Sequence, residues 1–313
     1  MSEIDFTPIP GREQPRFAAI KTFFRLPHVG IDAGYDVALA GLPYDGALSY
    51  RPGARFAPTK VRELSSMGRG YHMTREINFV EKLKCADIGD CPTVPIDMAQ
   101  TGERVETFFG DILARDKKFI AVGGDHSNTL PLLRAVAKKY GPVNFIHFDA
   151  HLDTYPAAWG CEYHHGAFLR HALEEGLVKP QNTWQFGIRG PLAANDDLGV
   201  VEKFGVNVTT VDDVRIGGLE AFLKRLPKFE GPTYMSFDID ALDPAYAPGT
   251  GTPVPGGLTT YEAQRILRAF EIDNLVAADI MEVSPPYDPT EITALAAVDV
   301  MFEQLCLMAS NVK

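Results

Sequence analysis

Two aspartates close to an apolar segment have the spacing of a cation site. Asp238 and Asp240 stand two residues apart at the end of segment 234–240. Side chains of a strand alternate between its faces, so both carboxylates point the same way and repel each other unless a cation lies between them. A solvated acidic turn is the simpler interpretation of this pair alone. The stiff proline- and glycine-rich loop 244–253 that follows favours a site instead.

Further ligand-type side chains follow three other apolar segments. After segment 143–148, three of them alternate along the chain: Asp149, His151 and Asp153. Asp125 and His126 follow segment 118–122, and Glu282 lies at the end of the segment that begins at residue 275. The Asp125–His126 pair is as compatible with capping of the following helix as with a ligand role. The alternation of three ligand-type side chains on one face is typical of metal binding.

The chemical types of these ligands narrow the metal and the reaction. Carboxylates and imidazoles without thiolates exclude a structural cysteine–zinc site and favour Mn²⁺, Ni²⁺, Co²⁺ or Zn²⁺. Two histidines and four aspartates of this set are too many ligands for one ion. The charges of the four aspartates, Asp149, Asp153, Asp238 and Asp240, balance two divalent cations. Two-metal sites hold their ions roughly 3.5–4 Å apart and lower the pKa of a water molecule toward neutrality. The pattern therefore predicts metal-assisted hydrolysis.

Strands and helices are predicted to alternate along the chain. Apolar runs predict strands at 35–44, 118–122, 143–149, 183–190, 206–211, 234–240 and 275–283. Helical periodicity predicts helices from near 59 and at 95–116, 130–140, 166–175, 219–226, 261–270 and 294–309. Such a pattern predicts an α/β fold with a mostly parallel sheet that is buried on both faces, and ligands then bind beyond the carboxyl ends of its strands. We expect one domain over 1–313, with residues 1–33 as an N-terminal arm.

Composition limits the partners and the location of the protein. The 313 residues carry a net charge of −11, which argues against nucleic acid and anionic membranes and is compatible with a cationic substrate. No apolar run reaches membrane-spanning length, and residues 1–10 lack the pattern of a signal peptide. Four cysteines without a CxxC pair indicate a reducing compartment. We therefore expect a cytoplasmic protein.

Three motifs together resemble the ureohydrolases, the family of arginase and agmatinase. They are Gly-Gly-Asp-His-Ser at 123–127, Phe-Asp-Ala-His-Leu-Asp-Thr-Tyr at 148–155, and the stretch 236–253. The resemblance runs from about residue 35 to the C-terminus. It implies a three-layer α/β/α sandwich, two Mn²⁺ ions per subunit with Ni²⁺ as an alternative, and hydrolysis of a guanidino group to urea and an amine. It also implies a homo-oligomer, either a trimer or a hexamer.

The same resemblance assigns roles to individual residues. Asp149 and Asp238 would bridge the two ions. The remaining ligands would be His126 and Asp153 for one ion, and His151 and Asp240 for the other.

The resemblance implies a catalytic set of three residues: Asp149 and two further residues, His165 and Glu282. His165 matches the family histidine that shuttles protons, and Glu282 matches the glutamate that holds the guanidinium. The chemistry agrees, because a guanidinium stays charged at neutral pH and suits a buried carboxylate. The leaving amine needs a proton, which a histidine can supply. His164 is the less favoured alternative to His165.

The substrate is predicted within the family from departures at two positions. Arginases carry Asn and Ser where this chain has Tyr155 and Cys161. We therefore expect agmatine, cleaved to urea and putrescine, with Tyr155 among the substrate-binding residues. 4-Guanidinobutyrate, a proclavaminate precursor and guanidine remain open. Arg51 and Arg55 would face a carboxylate-bearing substrate or form surface salt bridges.

Two other functional classes are less compatible with the sequence. A metal-dependent deacetylase of related fold would use one zinc ion and fewer carboxylates. A catalytically silent assembly subunit would have lost ligands, whereas this chain retains all six.

Overall fold

Eight parallel strands form one sheet in the computed structural model, which describes residues 4–192 and 194–312. The strands are β1 Val37–Gly41, β2 Tyr71–His72, β3 Ile77–Asn78, β4 Cys85–Asp90, β5 Lys118–Val122, β6 Val143–Phe148, β7 Val178–Ile188, β8 Asn207–Thr210, β9 Lys228–Asp238 and β10 Glu271–Met281. The helices are α1 Ala57–Ser65, α2 Phe79–Lys82, α3 Met98–Ala114, α4 Thr129–Tyr140, α5 Phe168–Glu174, α6 Gly199–Phe204, α7 Val211–Arg215, α8 Leu219–Leu223, α9 Thr260–Ala269 and α10 Ile292–Ser310. The small strands β2 and β3 pair separately as an antiparallel hairpin.

The strand order of the sheet brings distant parts of the chain together. The order is β4-β1-β5-β10-β9-β6-β7-β8, with parallel pairing throughout. The last two strands of the chain, β9 and β10, therefore lie between β5 and β6. The carboxyl ends of β5, β10, β9 and β6 meet side by side at one edge of the sheet, where ligands of such folds bind.

Both faces of the sheet are buried, which confirms the predicted fold class. Phe119 and Phe145 belong to the core on one face, under α3, α4 and α5. Their neighbours Ile120 and Ile146 belong to the core on the other face, under α1, α9 and α10. Because successive residues of a strand alternate in this way, its sequence is an unbroken apolar run.

The last helix is a core helix despite its apolar composition. Within the described residues, α10 alone is long and apolar enough to cross a membrane, and 72% of that window is buried inside the protein. It packs against α1, α9 and β10. A helix that is apolar on all sides belongs in the interior of a large core, as here.

Several elements were missed by the sequence prediction. Strand β4, the hairpin β2–β3 and the short helices α2, α6 and α7 were not predicted. β4 is an edge strand with the sequence Cys-Ala-Asp-Ile-Gly-Asp, which lacks an apolar run because its last residues are partly exposed. The boundaries of the long predicted helices lie within a few residues of the observed ones. The helix predicted at 95–116 is α3, whose cap Asp97 accepts a hydrogen bond from the Gln100 backbone N–H at 2.9 Å.

The described part of the N-terminal arm lies along α1 and β4. Phe23 and Phe24 are buried, and the Phe23 backbone N–H donates to Asp87 Oδ2 at 3.0 Å. The Arg62 guanidinium lies over the Phe23 ring, 4.4 Å from its centroid. These contacts attach the arm to the edge of the sheet.

The buried ring of Phe109 on α3 provides a test of this packing. It is fully buried, and its centroid lies 4.7 Å from that of Phe119 on β5. We expect Phe109→Ala to lower the free energy of unfolding by about 3–5 kcal/mol, because it removes buried surface and leaves a cavity. The matched change Phe108→Ala, at a half-buried ring, should cost less than half as much. Denaturation by guanidinium chloride measures both, and equal losses would contradict this packing.

Candidate metal centre and substrate pocket

The six predicted metal ligands lie together at the carboxyl ends of β5, β6 and β9. His126 begins a short 3-10 helix after β5, Asp238 ends β9, and Asp240 lies in the 3-10 helix that follows. The other three, in the loop after β6, are Asp149, His151 and Asp153. All are buried except His151, which is partly exposed.

The ring of His126 faces three carboxylates. Its Nδ1 lies 3.2 Å from Asp149 Oδ2, 3.2 Å from Asp153 Oδ2 and 3.1 Å from Asp238 Oδ2. Among the described residues, this buried nitrogen nevertheless has no partner with hydrogen-bond geometry. Three carboxylate oxygens thus lie close to one imidazole nitrogen, and these are donor types that bind divalent metal ions.

Asp149 connects this group to a second one. Its other oxygen, Oδ1, lies 3.2 Å from Nδ1 of His151, which is also 3.1 Å from Asp240 Oδ2. One carboxylate therefore directs one oxygen to each group. This is the arrangement that a ligand bridging two cations requires.

The electrostatics of the cluster suit divalent cations. Burial raises the pKa of Asp238 well above its usual range, and the charges of Asp240 and Asp149 raise it further. The pKa of Asp153 is likewise raised by burial and by the charge of Asp149. Burial lowers the pKa of His126, but the three surrounding carboxylates outweigh burial and raise it well above its usual value. The carboxylates thus need positive charge near them, and the donor set of oxygen and imidazole ligands fits metal ions.

A buried hydrogen-bond chain holds the back of His126. Its Nε2 lies 2.8 Å from the hydroxyl of Ser236, which donates to Asp279 Oδ1 at 2.7 Å. The other oxygen of Asp279 accepts hydrogen bonds from Tyr234 at 2.6 Å and Thr129 at 2.9 Å. Such outer contacts fix the orientation and the tautomer of a metal-binding histidine.

His147 supports the cluster from inside β6. It is not among the residues that the sequence analysis assigned to the site. It is fully buried, and its Nε2 lies 2.9 Å from Asp149 Oδ2 while its Nδ1 faces the amide of Gln185 at 3.0 Å. Its position two residues before Asp149, on the same face of the strand, was the signal that would have identified it.

Arg189 holds the loop that carries Asp240. Its guanidinium donates hydrogen bonds to five backbone carbonyls at 2.7–3.2 Å. These belong to Gly187, Asp240, Ala241, Leu242 and Val254. A planar fork of donors can join several carbonyls at once, so this residue fixes the loop after β9.

Glu282 and His165 lie next to the metal ligands. Glu282 has a strained backbone with φ +64°, and its Oε1 accepts a hydrogen bond from the His126 backbone N–H at 2.9 Å. The same oxygen lies 3.3 Å from His165 Nδ1. Its Oε2 is buried and has no partner among the described residues. A Cβ added at Gly251 would lie 3.2 Å from that oxygen, so glycine keeps the space in front of it open.

A cavity of about 420 Å³ opens beside His165 and two of the predicted metal ligands. Its lining includes the predicted residues His151, Asp153, Tyr155, His164 and His165. Its other lining residues are Ser49, Pro156, Ala157, Ala158, Trp159, Gly166 and Thr252.

His164, the less favoured alternative to His165, has a different hydrogen-bond partner. The Nε2 of His164 lies 3.0 Å from the Pro156 carbonyl oxygen, so it holds the loop at the mouth of the cavity. Trp159 at the tip of this loop is exposed at φ +54°, and the sequence did not identify it.

Arg51 and Arg55 lie outside the lining of this cavity. The Arg55 side chain pairs with the buried carboxylate of Asp45. The Arg51 guanidinium lies over the rings of Tyr50 and Tyr287, 5.4 and 5.1 Å from their centroids. Their contacts organise the loop after β1.

The Ser236 hydroxyl provides a test of the support behind His126. We expect Ser236→Ala to weaken divalent metal binding about 10- to 100-fold, because the imidazole loses the contact that orients it. Chelator competition monitored by calorimetry measures the affinity. Ser310→Ala, which removes a hydroxyl at the end of α10, is the matched control and should leave the affinity unchanged. Equal affinities for all three proteins would contradict this role.

Metal removal provides a second test. Because bound cations offset the repulsion among the carboxylates, we expect saturating Mn²⁺ to raise the stability of the chelator-treated protein. At a hundredfold excess over the dissociation constant, binding contributes about 2.7 kcal/mol. Differential scanning calorimetry with and without the metal measures the shift in Tm. An unchanged Tm would contradict a metal centre in these residues.

Comparisons with known proteins identify the family of this chain. The model of the arginase family matches residues 35–306. A guanidinopropionase of Pseudomonas aeruginosa is 43% identical over 97% of this chain and 96% of its own length. An agmatinase of Cronobacter sakazakii is 40% identical over 92% and 93% of the two chains. The solved structure of proclavaminate amidino hydrolase from Streptomyces clavuligerus superposes with a TM-score of 0.87 at 40% identity, covering 95% of this chain and all of that one. This chain therefore belongs to the arginase family and is a hydrolase of the C–N bonds of guanidino compounds.

Proposed function

We propose that this protein hydrolyses a small linear guanidino compound to urea and an amine, using two Mn²⁺ ions per subunit. The observation that carries the proposal is the buried, unpartnered Oε2 of Glu282 beside the cluster of metal ligands. An isolated buried carboxylate oxygen is costly unless a cation meets it. A guanidinium supplies that charge together with hydrogen-bond donors.

The metal ligands in this proposal are the six residues predicted from the sequence. His126 and Asp153 would hold one ion, His151 and Asp240 the other, and Asp149 and Asp238 would bridge them. When bound, such a pair of cations supplies a water molecule that ionises near neutral pH. Carboxylate and imidazole ligands suit Mn²⁺, and they suit Ni²⁺ as well.

Glu282 and His165 would act on the organic part of the reaction. Glu282 binds and orients the guanidinium, because its carboxylate contacts both His165, which lines the cavity, and the backbone N–H of the proposed metal ligand His126. His165 Nδ1 lies 3.3 Å from the same carboxylate, so it adjoins a guanidinium bound there. From this position the imidazole donates a proton to the leaving amine, which makes cleavage of the C–N bond possible.

Agmatine is the substrate that the cavity supports best. Among its described lining residues there is no lysine or arginine to pair with a carboxylate. The aromatic rings of Tyr155 and Trp159 lie in the lining and suit an alkyl chain or a cationic tail. The net charge of −11 also attracts a dication.

A guanidino acid is the second candidate. A relative at 43% identity is named guanidinopropionase, and another at 38% is named guanidinobutyrase. A carboxylate tail would then be bound without a lysine or arginine of this lining, for example by hydroxyl groups such as those of Ser49 and Thr252.

We further propose that the protein is a cytoplasmic homohexamer. The sparse cysteines support the location, and the family resemblance supports the assembly. Light scattering coupled to size-exclusion chromatography measures the mass, for which a hexamer predicts six times the 34.4 kDa of one chain.

Urea release identifies the substrate. The Mn²⁺-loaded and Ni²⁺-loaded proteins should be offered agmatine, 3-guanidinopropionate, 4-guanidinobutyrate, arginine and guanidine in parallel. We expect urea from agmatine at the highest kcat/KM. Faster release from a guanidino acid would keep the reaction and overturn the substrate, and no urea from any compound would contradict the proposal.

The role of Glu282 is tested by Glu282→Gln. Loss of a buried charge partner costs about 3–5 kcal/mol, which lowers kcat/KM by a hundredfold or more. Glu271→Gln is the matched control, because this exposed glutamate pairs with Lys228 at the opposite end of the sheet. A Glu282→Gln enzyme with unchanged kcat/KM would exclude the proposed contact.

A further inference from the structure

The exposed residue Ser49 separates the imidazole of His165 from solvent. Its hydroxyl oxygen lies 2.7 Å from His165 Nε2, and its backbone N–H donates to the same nitrogen at 3.2 Å. The side chain of His165 is only 11% exposed, whereas Ser49 is exposed at the mouth of the cavity. The outer nitrogen of the largely buried imidazole is therefore in contact with a solvent-exposed hydroxyl.

We propose that the Ser49 hydroxyl relays protons between solvent and His165. The inference rests on the hydrolysis proposed above, in which His165 protonates the leaving amine. It gives a role to a residue that the motifs around the metal ligands do not include.

The hydrogen bonds define which nitrogen faces which side. A backbone N–H can only donate, so Nε2 accepts, and the proton of a neutral ring resides on Nδ1. That nitrogen faces Glu282, where the guanidinium binds in the proposed function. The proton available for transfer is thus on the substrate side of the ring, and the lone pair is on the Ser49 side.

The proposed transfer conserves every proton. The Nδ1–H bond breaks as an N–H bond forms on the leaving amine. The Ser49 O–H bond breaks as an Nε2–H bond forms, and a hydronium ion or buffer acid restores the hydroxyl. In the next turnover Nδ1 accepts the proton released by the attacking water, and Nε2 returns its proton through Ser49. Hydrolysis of the guanidinium to urea and an ammonium consumes no net proton.

The loop that carries Ser49 is attached to the catalytic strands. The His165 backbone N–H donates to the Ala47 carbonyl at 3.1 Å, and the Ala47 N–H donates to Asp125 Oδ2 at 2.9 Å. In the same loop, Asp45 Oδ2 accepts a hydrogen bond from the Gly53 N–H at 2.7 Å. These contacts hold the serine hydroxyl in place without a large conformational change.

The charges around His165 favour proton uptake. Glu282 after β10, Asp153 after β6 and Asp125 after β5 face it. Burial lowers the pKa of His165, but these carboxylates outweigh burial and raise it to about 9. A ring with this affinity accepts a proton from solvent readily, so a route through Ser49 is useful at neutral pH.

Ser49→Ala and Ser49→Thr test the relay in the metal-loaded enzyme. At low buffer concentration we expect Ser49→Ala to lower kcat about tenfold with little change in KM, because proton transfer to the buried ring slows. Imidazole added as a small diffusible acid should restore the rate, and Ser49→Thr, which keeps the hydroxyl, should retain it. Ser310→Ala is the control.

A second measurement does not depend on activity. Nitrogen-15 NMR of histidine-labelled protein without added manganese reports the tautomer of His165. At a pH above the raised pKa, where the ring is neutral, we expect the Nδ1–H form in the wild type and a mixture in Ser49→Ala.

The possible failures can be distinguished. An unchanged kcat in Ser49→Ala, or a loss that neither imidazole nor Ser49→Thr restores, would overturn the relay while wild-type urea release still supported the proposed function. Absence of urea from the wild type would overturn the proposed function, and the NMR tautomer would still test the contact.

Discussion

Repulsion among buried carboxylates is the constraint on which the rest of this structure depends. Asp149, Asp153, Asp238 and Asp240 lie together at the carboxyl ends of parallel strands, where burial and mutual charge raise the pKa of Asp153 and Asp238. Such a cluster is costly unless cations compensate it. Metal binding is therefore coupled to the stability of the sheet edge, and the surrounding polar contacts serve to fix the ligands in place.

The topology makes this cluster possible. Because β9 and β10 enter the sheet between β5 and β6, residues far apart in sequence meet across four adjacent strands. Other residues fix the loops and side chains around the cluster. Arg189 joins the carbonyls of the loop after β9, and Asp279 anchors Ser236 behind His126. The proposed metal ligands thus lie at or just after the ends of strands, whereas the loop that carries Trp159 lines the cavity.

Much of the site could be predicted from the sequence because its ligands alternate within short segments. Asp149, His151 and Asp153 were predicted to alternate on one face of a strand, whereas they lie in the loop after β6, and Asp240 lies in a 3-10 helix after β9. Their close spacing identified them nevertheless, and the apolar runs of the central strands predicted a parallel sheet. β4 was missed because an edge strand lacks an apolar run. Ser49 and Trp159 were missed because their roles arise from contacts between distant loops, which carry no local periodicity. Asp279, inside an apolar strand, gave no local indication of its contact with Ser236.

The central claim is that this cluster binds a pair of divalent cations. The most direct measurement is the metal content per chain, determined by mass spectrometry after dialysis of the Mn²⁺-loaded protein, beside an Asp238→Asn variant that lacks one bridging charge. The account predicts about two ions per wild-type chain and fewer in the variant. One zinc ion per chain, or none in either protein, would contradict it.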